Sequence, residues 1–184
     1  MDRLIAAHKR KMQQALEEFQ EQLSTVRTGR ASPAILTPIK VDYYGTKLPI
    51  NQLATISIPE PRLITITPWD KSSLGAIEKA ILTSELSLTP SSDGNVIRLA
   101  LPPLTEERRE ELVKLVQKMA EDRRVHIRNI RREANEGIDA MEQDQGLSED
   151  EVRRGKAEVQ ELTDEFIKKI DQALDEKVAE IREI

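Results

Sequence analysis

Residues 105–141 read TEERREELVKLVQKMAEDRRVHIRNIRREANEGIDAM. Apolar residues recur in this stretch at steps of three and four, which places them on one side of a helix with 3.6 residues per turn. They are Leu112, Leu115, Val116, Met119, Ile127, Ile130, Ala134, Ile138 and Met141. The pattern predicts a single helix of roughly 37 residues and about 55 Å. Its apolar side requires partner helices.

A second side of the same predicted helix is cationic. The residues that fall close together there are Arg124, Arg128, Arg131 and Asn135, with Arg132 at the edge. Between Arg123 and Arg132 the chain has five arginines and no acidic residue. Because the planar guanidinium group suits phosphates and bases, this side predicts an anionic partner. The alternative is a solvated face whose charges pair within the helix. Arg123 falls within the apolar stripe and is expected to snorkel at its edge without a role in binding.

The partner helices are predicted at the two ends of the chain. In residues 1–28, apolar residues repeat at intervals of seven, which is typical of a helix-bundle seam. Residues 148–184 show the same spacing, and Ser148 with Glu151 forms a capping-box pattern at their start. Gly146 is a suitable end for the preceding helix, which is expected over residues 105–144. Three amphipathic helices of this length are expected to pack as a three-helix bundle.

Residues 31–103 differ in kind. They contain most of the prolines and many β-branched residues. Segments 39–43, 53–58, 63–67 and 95–101 alternate as strands do, with turns at 44–46 and 59–62, and residues 72–84 have helical spacing. The predicted fold class is therefore α+β. A long three-helix bundle, residues 1–30 plus 104–184, carries an inserted small β/α/β domain, residues 31–103, in a two-domain, L-like shape.

The two connections between the predicted domains form a candidate hinge. Gly29 permits backbone angles that other residues avoid, and Pro33 disfavours helix at Ser32. Prolines stiffen both connections, so motion is expected at a few residues, Gly29 and Arg30 among them. The hinge residues are Thr28, Gly29, Arg30, Ala31, Ser32, Pro33, Leu101, Pro102, Pro103 and Leu104.

Composition excludes several classes of function. The 184 residues include no cysteine, which rules out disulfides, thiolate catalysis and cysteine-based zinc sites. The chain contains no run of about 18 apolar residues, which a helix would need to cross a membrane. No glycine-rich phosphate loop or supported catalytic triad is present, so we expect no enzyme activity, catalytic residue, metal or cofactor. A net charge of −5 with a local cationic stripe favours docking onto one site over coating DNA.

Four segments are similar to one known family. Residues 125–135, VHIRNIRREAN, resemble the signature of the bacterial ribosome recycling factors, and residues 27–33, RTGRASP, resemble that family's first hinge. Residues 66–70, ITPWD, and 167–171, IKKID, are similar to it as well. The resemblance covers the whole chain, with the expected length and position of the insert.

The resemblance implies a function that spacing alone does not. Such factors enter the ribosome after peptide release and, with elongation factor G and GTP hydrolysis, split it into subunits in the cytoplasm. The bundle is implied to lie on large-subunit ribosomal RNA, while the GTPase swings the second domain about the hinge. The protein is expected to be a monomer that binds neither membrane nor DNA. The implied RNA contacts are Arg128, Arg131 and Arg132, supported by Arg124, Asn129 and Asn135.

Two other functions remain open from the residues. The seven-residue repeats and the cationic face also fit a coiled-coil adaptor that binds an acidic protein partner. An enzyme with its site at the domain junction is the third and weakest hypothesis, because no catalytic motif supports it.

Overall fold

The computed structural model describes residues 1–183. The chain forms two compact units: one contains residues 1–28 and 106–183, and the other residues 29–105. The first is helical, and the second contains small antiparallel sheets and a short helix. The predicted α+β class, with long helices and a small β unit, is confirmed. The domain limits from the sequence, 30/31 and 103/104, differ slightly from the unit limits, and the division of the chain into those two domains stays a prediction.

The helical unit consists of α1 (Asp2–Thr25), α3 (Glu106–Gln145) and α4 (Glu149–Arg182), each of which packs against the other two. Their apolar sides form a mostly aliphatic core, and the rings of Phe19 and Phe166 are both fully buried. This packing supplies the burial that each amphipathic helix needs. None of the described helices is long and apolar enough to cross a membrane.

The helix ends follow their local chemistry. Gly146 takes a left-handed φ of +65° after α3, and its N–H donates to the carbonyl of Glu142. Ser148 and Glu151 form the predicted capping box at the start of α4. Helix α1 ends at Thr25, three residues earlier than expected, because Val26 is extended with a ψ of 112°.

The second unit contains two antiparallel sheets and α2 (Leu74–Leu82). The hairpin pairs β1 (Lys40–Tyr43) with β2 (Thr46–Pro49). The larger sheet has the order β3-β4-β6-β5 and consists of β3 (Ala54–Glu60), β4 (Leu63–Pro68), β5 (Ser91–Ser92) and β6 (Ile97–Ala100). Alternate residues such as Ile64, Ile66, Ile97 and Leu99 point into one core, together with Ile77 and Ile81 of α2.

The sequence misplaced some details of this unit. It predicted a turn over residues 59–62, whereas β3 continues to Glu60 through a register shift after Ser57, and the turn is confined to Pro61 and Arg62. The helix predicted over residues 72–84 is shorter, because a 3₁₀ turn, Lys71–Ser73, precedes α2. Strands β2 and β5 were not predicted.

Candidate nucleic-acid interface

The middle of α3 carries the predicted RNA-binding residues. Ala120, Ile127, Ile130, Ala134 and Ile138 are buried and fix which side of the helix faces the core. At 100° per residue, the arginines are then distributed from the edge of the packed side to the solvent side of α3. Each has a different environment, depending on how close it is to α4.

The residues farthest from the core are the most available to a partner. Arg128, Asn129 and Arg132 are exposed. Arg128 Nη1 lies 3.3 Å from Glu121 Oε1, a single exposed ion pair. Within residues 1–183, Arg132 and Asn129 make no hydrogen bond or ion pair through their side chains. Two cations and one amide can thus meet an external anion at little cost to internal contacts.

Arg124 is different, because carboxylates of the protein already occupy its guanidinium group. Nε donates to Asp171 Oδ1 at 2.7 Å and Nη1 to Glu121 Oε2 at 2.9 Å, and only 20% of the side chain is exposed. Burial lowers the pKa of Arg124, but hydrogen bonds to the two carboxylates outweigh it and hold the pKa above its usual value. Its contacts therefore favour a role in joining α3 to α4.

Arg131 and Asn135 lie one turn apart and are half-buried. Arg131 Nη1 donates to Gln160 Oε1 of α4 at 3.3 Å, a neutral partner that leaves the positive charge uncompensated. Asn135 Oδ1 is buried and accepts no hydrogen bond from the described residues. Arg131 retains donors for a phosphate.

Residues 123–132 contain no acidic residue, but the surface that they form on α3 is not free of carboxylates. Glu121 lies one turn before Arg124 and contacts both Arg124 and Arg128, whose hydrogen bonds lower the pKa of the Glu121 carboxyl. Helical spacing i, i+3 could have predicted the Glu121–Arg124 pair. Asp171 comes from another helix, so no local signal predicted it. The available charge is therefore concentrated in Arg128, Arg131 and Arg132.

Arg123 lies on the opposite flank of α3, as its position within the apolar stripe indicated. Its side chain is mostly buried, and Nη1 donates to Glu18 Oε2 of α1 at 2.9 Å. That hydrogen bond is the main reason why the pKa of Glu18 is lowered. Arg123 thus joins α3 to α1, as Arg124 joins α3 to α4.

The residues of the candidate hinge are held in different ways. The Thr28 hydroxyl is bonded within the helical unit. In the second unit, Ala31 N–H donates to the carbonyl of Pro61 and Leu101 N–H to that of Arg62. Ser32 caps the 3₁₀ turn Pro33–Leu36. Gly29 has a φ of +77° and lies against Leu104, while Arg30, Pro102 and Pro103 complete the two connections.

A model of the family "Ribosome recycling factor" matches residues 19–181. The chain belongs to the ribosome recycling factor family. The ribosome-recycling factor of Carboxydothermus hydrogenoformans is 60% identical over 173 residues, 94% of each chain. That of Bacillus subtilis is 51% identical over 98% of each chain. The resemblance found in the sequence is thereby confirmed.

Solved structures of the family have the same fold. A solution structure of a ribosome recycling factor covers 100% of this chain and 97% of its own, with 46% identity and a TM-score of 0.70. A second match, at 48% identity and a TM-score of 0.61, covers 98% and 97%. It belongs to models of the T. thermophilus ribosome recycling factor and E. coli elongation factor G bound to the E. coli post-termination complex. Members of this family are translation factors.

Proposed function

We propose that this protein splits post-termination ribosomes into subunits in the cytoplasm, acting as a monomer with elongation factor G and GTP hydrolysis. Its helical unit binds large-subunit ribosomal RNA through one face of α3. The observation that carries this proposal is the group of guanidinium groups on that face that carboxylates of the protein leave unpaired or only partly paired. Arg128 and Arg132 are exposed, and Arg131 is paired only with a neutral amide.

Arg128, Arg131 and Arg132 make the main RNA contacts, and the neighbouring residues support them. Arg128, Arg131 and Arg132 contact phosphates, because each presents donors that internal carboxylates do not saturate. Asn129 is exposed beside them and adds a neutral hydrogen-bonding group. Arg124 and Asn135 support the face from the α3–α4 seam. Such binding reads RNA through its backbone and shape more than its sequence.

A matched pair of substitutions tests the face. Lys114 lies 18 residues, or five full turns, before Arg132 on the same side of α3, about 27 Å away. It too is exposed and makes no side-chain hydrogen bond or ion pair within the described part of the chain. Arg132→Ala is expected to weaken binding to purified large subunits and to lower the salt slope by roughly one unit. Lys114→Ala is expected to leave both unchanged.

Binding that Arg132→Ala leaves intact would contradict the proposed interface. Capture of large subunits should also be lost after RNase treatment. Capture that survives RNase would favour the coiled-coil adaptor that binds an acidic protein. Splitting is then measured on post-termination complexes with and without elongation factor G and GTP. We expect splitting only when all components are present.

The two connections serve as a hinge for movement of the second unit. Support comes from the short length of both connections and from the positive φ of Gly29. A side chain at position 29 would strain this conformation and would lie 3.2 Å from Leu104 Cγ. The remaining hinge residues limit the movement, since prolines fix φ at Pro33, Pro102 and Pro103.

A further inference from the structure

The first connection remains attached to the helical unit after α1 has ended. Helix α1 stops at Thr25, yet Thr28 is only 4% exposed. Its hydroxyl donates to Glu180 Oε1 in the last turn of α4 at 2.9 Å. The other oxygen, Glu180 Oε2, lies 3.3 Å from Lys177 Nζ, and the Lys177 side chain is only 10% exposed.

These contacts depend on one another. A buried hydroxyl costs free energy unless it is hydrogen-bonded, and Glu180 supplies the acceptor. A mostly buried ammonium needs a charged partner, and the second oxygen of the same carboxylate supplies it. Glu180 therefore joins the chain leaving α1 to the end of α4. Losing the Glu180 carboxylate would therefore leave two poorly hydrated polar groups, the Thr28 hydroxyl and the Lys177 ammonium.

The other end of the same connection is hydrogen-bonded within the second unit. Ala31 N–H donates to the carbonyl of Pro61 at 2.7 Å, in the turn between β3 and β4. Two residues, Gly29 and Arg30, separate the bonded hydroxyl of Thr28 from the bonded amide of Ala31. Gly29, with a φ of +77°, is the residue with the greatest backbone freedom in this interval.

We propose that Thr28, Glu180 and Lys177 form an anchor that fixes the helical end of the first connection and concentrates bending at Gly29. Thr28 was predicted from the sequence as part of the hinge, and here it limits the hinge instead. Glu180 is a positioning residue, because it acts through Thr28. That bending serves ribosome splitting rests on the proposed function, whereas the anchor itself does not.

The anchor is tested in the isolated full-length protein. The chain has no cysteine, so two introduced cysteines, Lys168→Cys in α4 and Glu85→Cys in the second unit, can be spin-labelled specifically. Double electron–electron resonance then measures the distribution of distances between the two labels. Thr28→Val removes the hydroxyl at nearly constant shape and is expected to broaden the distribution. One buried hydrogen bond corresponds to about a tenfold change in the anchored population. Thr28→Ser keeps the hydroxyl and should restore the width.

Thr25→Val is the matched control. Thr25 also has a bonded hydroxyl, which donates to the carbonyl of Gln22, but it is exposed and lies outside the anchor. It should leave the width unchanged. Glu180→Gln, which removes the ion pair with Lys177, provides a second variant should Thr28→Val fail to fold. If the folded variants, judged by circular dichroism, keep the parent's width, the anchor is overturned.

A ribosome experiment separates this inference from the proposed function. Thr28→Val leaves the arginine face intact, so its affinity for large subunits should equal the parent's while splitting with elongation factor G slows. Loss of affinity in Thr28→Val would contradict the anchor, since Thr28 would then belong to the binding surface. Failure of the parent protein itself to split ribosomes would refute the proposed function, and the distance measurement would still decide on the anchor.

Discussion

Arg124 and Arg132 lie on one helix two turns apart, yet their guanidinium groups have different environments. Arg124 bonds to Asp171 and Glu121. Arg132 is exposed and bonds to no residue within positions 1–183. A cation that already has carboxylate partners must exchange them to bind a phosphate, so it gains less from an external anion than an unpaired one does.

This difference predicts that Arg124→Ala affects stability more than binding, and that Arg132→Ala affects binding more than stability. Arg124→Ala should lower the free energy of unfolding by about 1 kcal/mol, because Asp171 loses its α3 partner. Arg132→Ala should change it by less than about 0.5 kcal/mol. Urea denaturation of both variants measures the unfolding free energy, and large-subunit binding measures the function. Equal destabilisation by the two substitutions would contradict the described environments.

The sequence predicted which arginines share a side of α3, since helical spacing fixes their angular positions. It did not predict which of them are neutralised. Asp171 is 47 positions from Arg124 and contacts it only because α4 packs beside α3. The rank order of the candidate residues therefore comes from tertiary packing.

In helix α3, the apolar periodicity predicted burial for one residue that the structure leaves half-exposed. Leu112 and Leu115 are three residues apart and both matched the predicted apolar stripe. Leu112 is 5% exposed, whereas Leu115 is 47% exposed. The stripe is wider than the surface that α1 and α4 cover, so a residue at its edge reaches solvent.

Alanine substitutions at these two positions test that difference. Leu112→Ala creates a cavity in the core and should cost about 2–5 kcal/mol of unfolding free energy. Leu115→Ala removes a half-exposed side chain and should cost less than about 1 kcal/mol. Thermal and urea unfolding of both variants provide the measurement, with the parent protein as reference. A loss of several kcal/mol at Leu115 would place it in the core after all.

The start of α4 provides a pH-dependent prediction. Backbone and side-chain hydrogen bonds from Ser148 lower the pKa of Glu151. A carboxyl whose pKa is lower in the folded state stabilises the fold above its unfolded pKa of about 4.3. This contribution is lost as the pH falls through the lower, folded value. Ser148→Ala should therefore cost about 1 kcal/mol at pH 7, and less at pH 3.

Denaturation at both pH values checks this prediction. Ser148→Asn is the control, because asparagine is also a good N-cap residue. Its unfolding free energy should remain near that of the parent. A cost for Ser148→Ala that stays constant between the two pH values would show that the hydrogen bond from the Ser148 hydroxyl to the Glu151 carboxylate contributes nothing through its charge.

Long, strongly patterned elements were the ones that could be predicted from sequence. The capping box at Ser148 and the glycine after α3 have specific local chemistry. Strand β2 (Thr46–Pro49) has only four residues and ends in proline, and β5 (Ser91–Ser92) contains two serines. Such short strands are defined by their pairing partners, which alternation within a segment does not reveal.

Across the whole molecule, each unit has its own core, and two short connections join them. Sequence patterns could predict this division, because heptad spacing and strand alternation occupy different parts of the chain. They could not predict where the connections are held. The Thr28–Glu180 bond spans 152 positions, and the bonds from Ala31 and Leu101 end on one turn of the sheet.

The charge of the whole molecule makes the salt dependence of RNA binding diagnostic. The chain carries a net charge of −5, so attraction to RNA must come from a local group of cations. Neutralisation of one phosphate each by Arg128, Arg131 and Arg132 predicts a slope of log K against log salt of about −2 to −3. Binding to purified large subunits between about 50 and 200 mM salt measures this slope.

Replacing all three arginines with alanine should bring the slope close to zero and abolish measurable binding at the higher salt concentration. The single variants should each remove roughly one unit, while Lys114→Ala should remove none. Arg124→Ala, whose guanidinium group is already paired, should alter the slope by clearly less than one unit. A slope that survives in the triple variant would place the RNA contacts on a different surface of the protein.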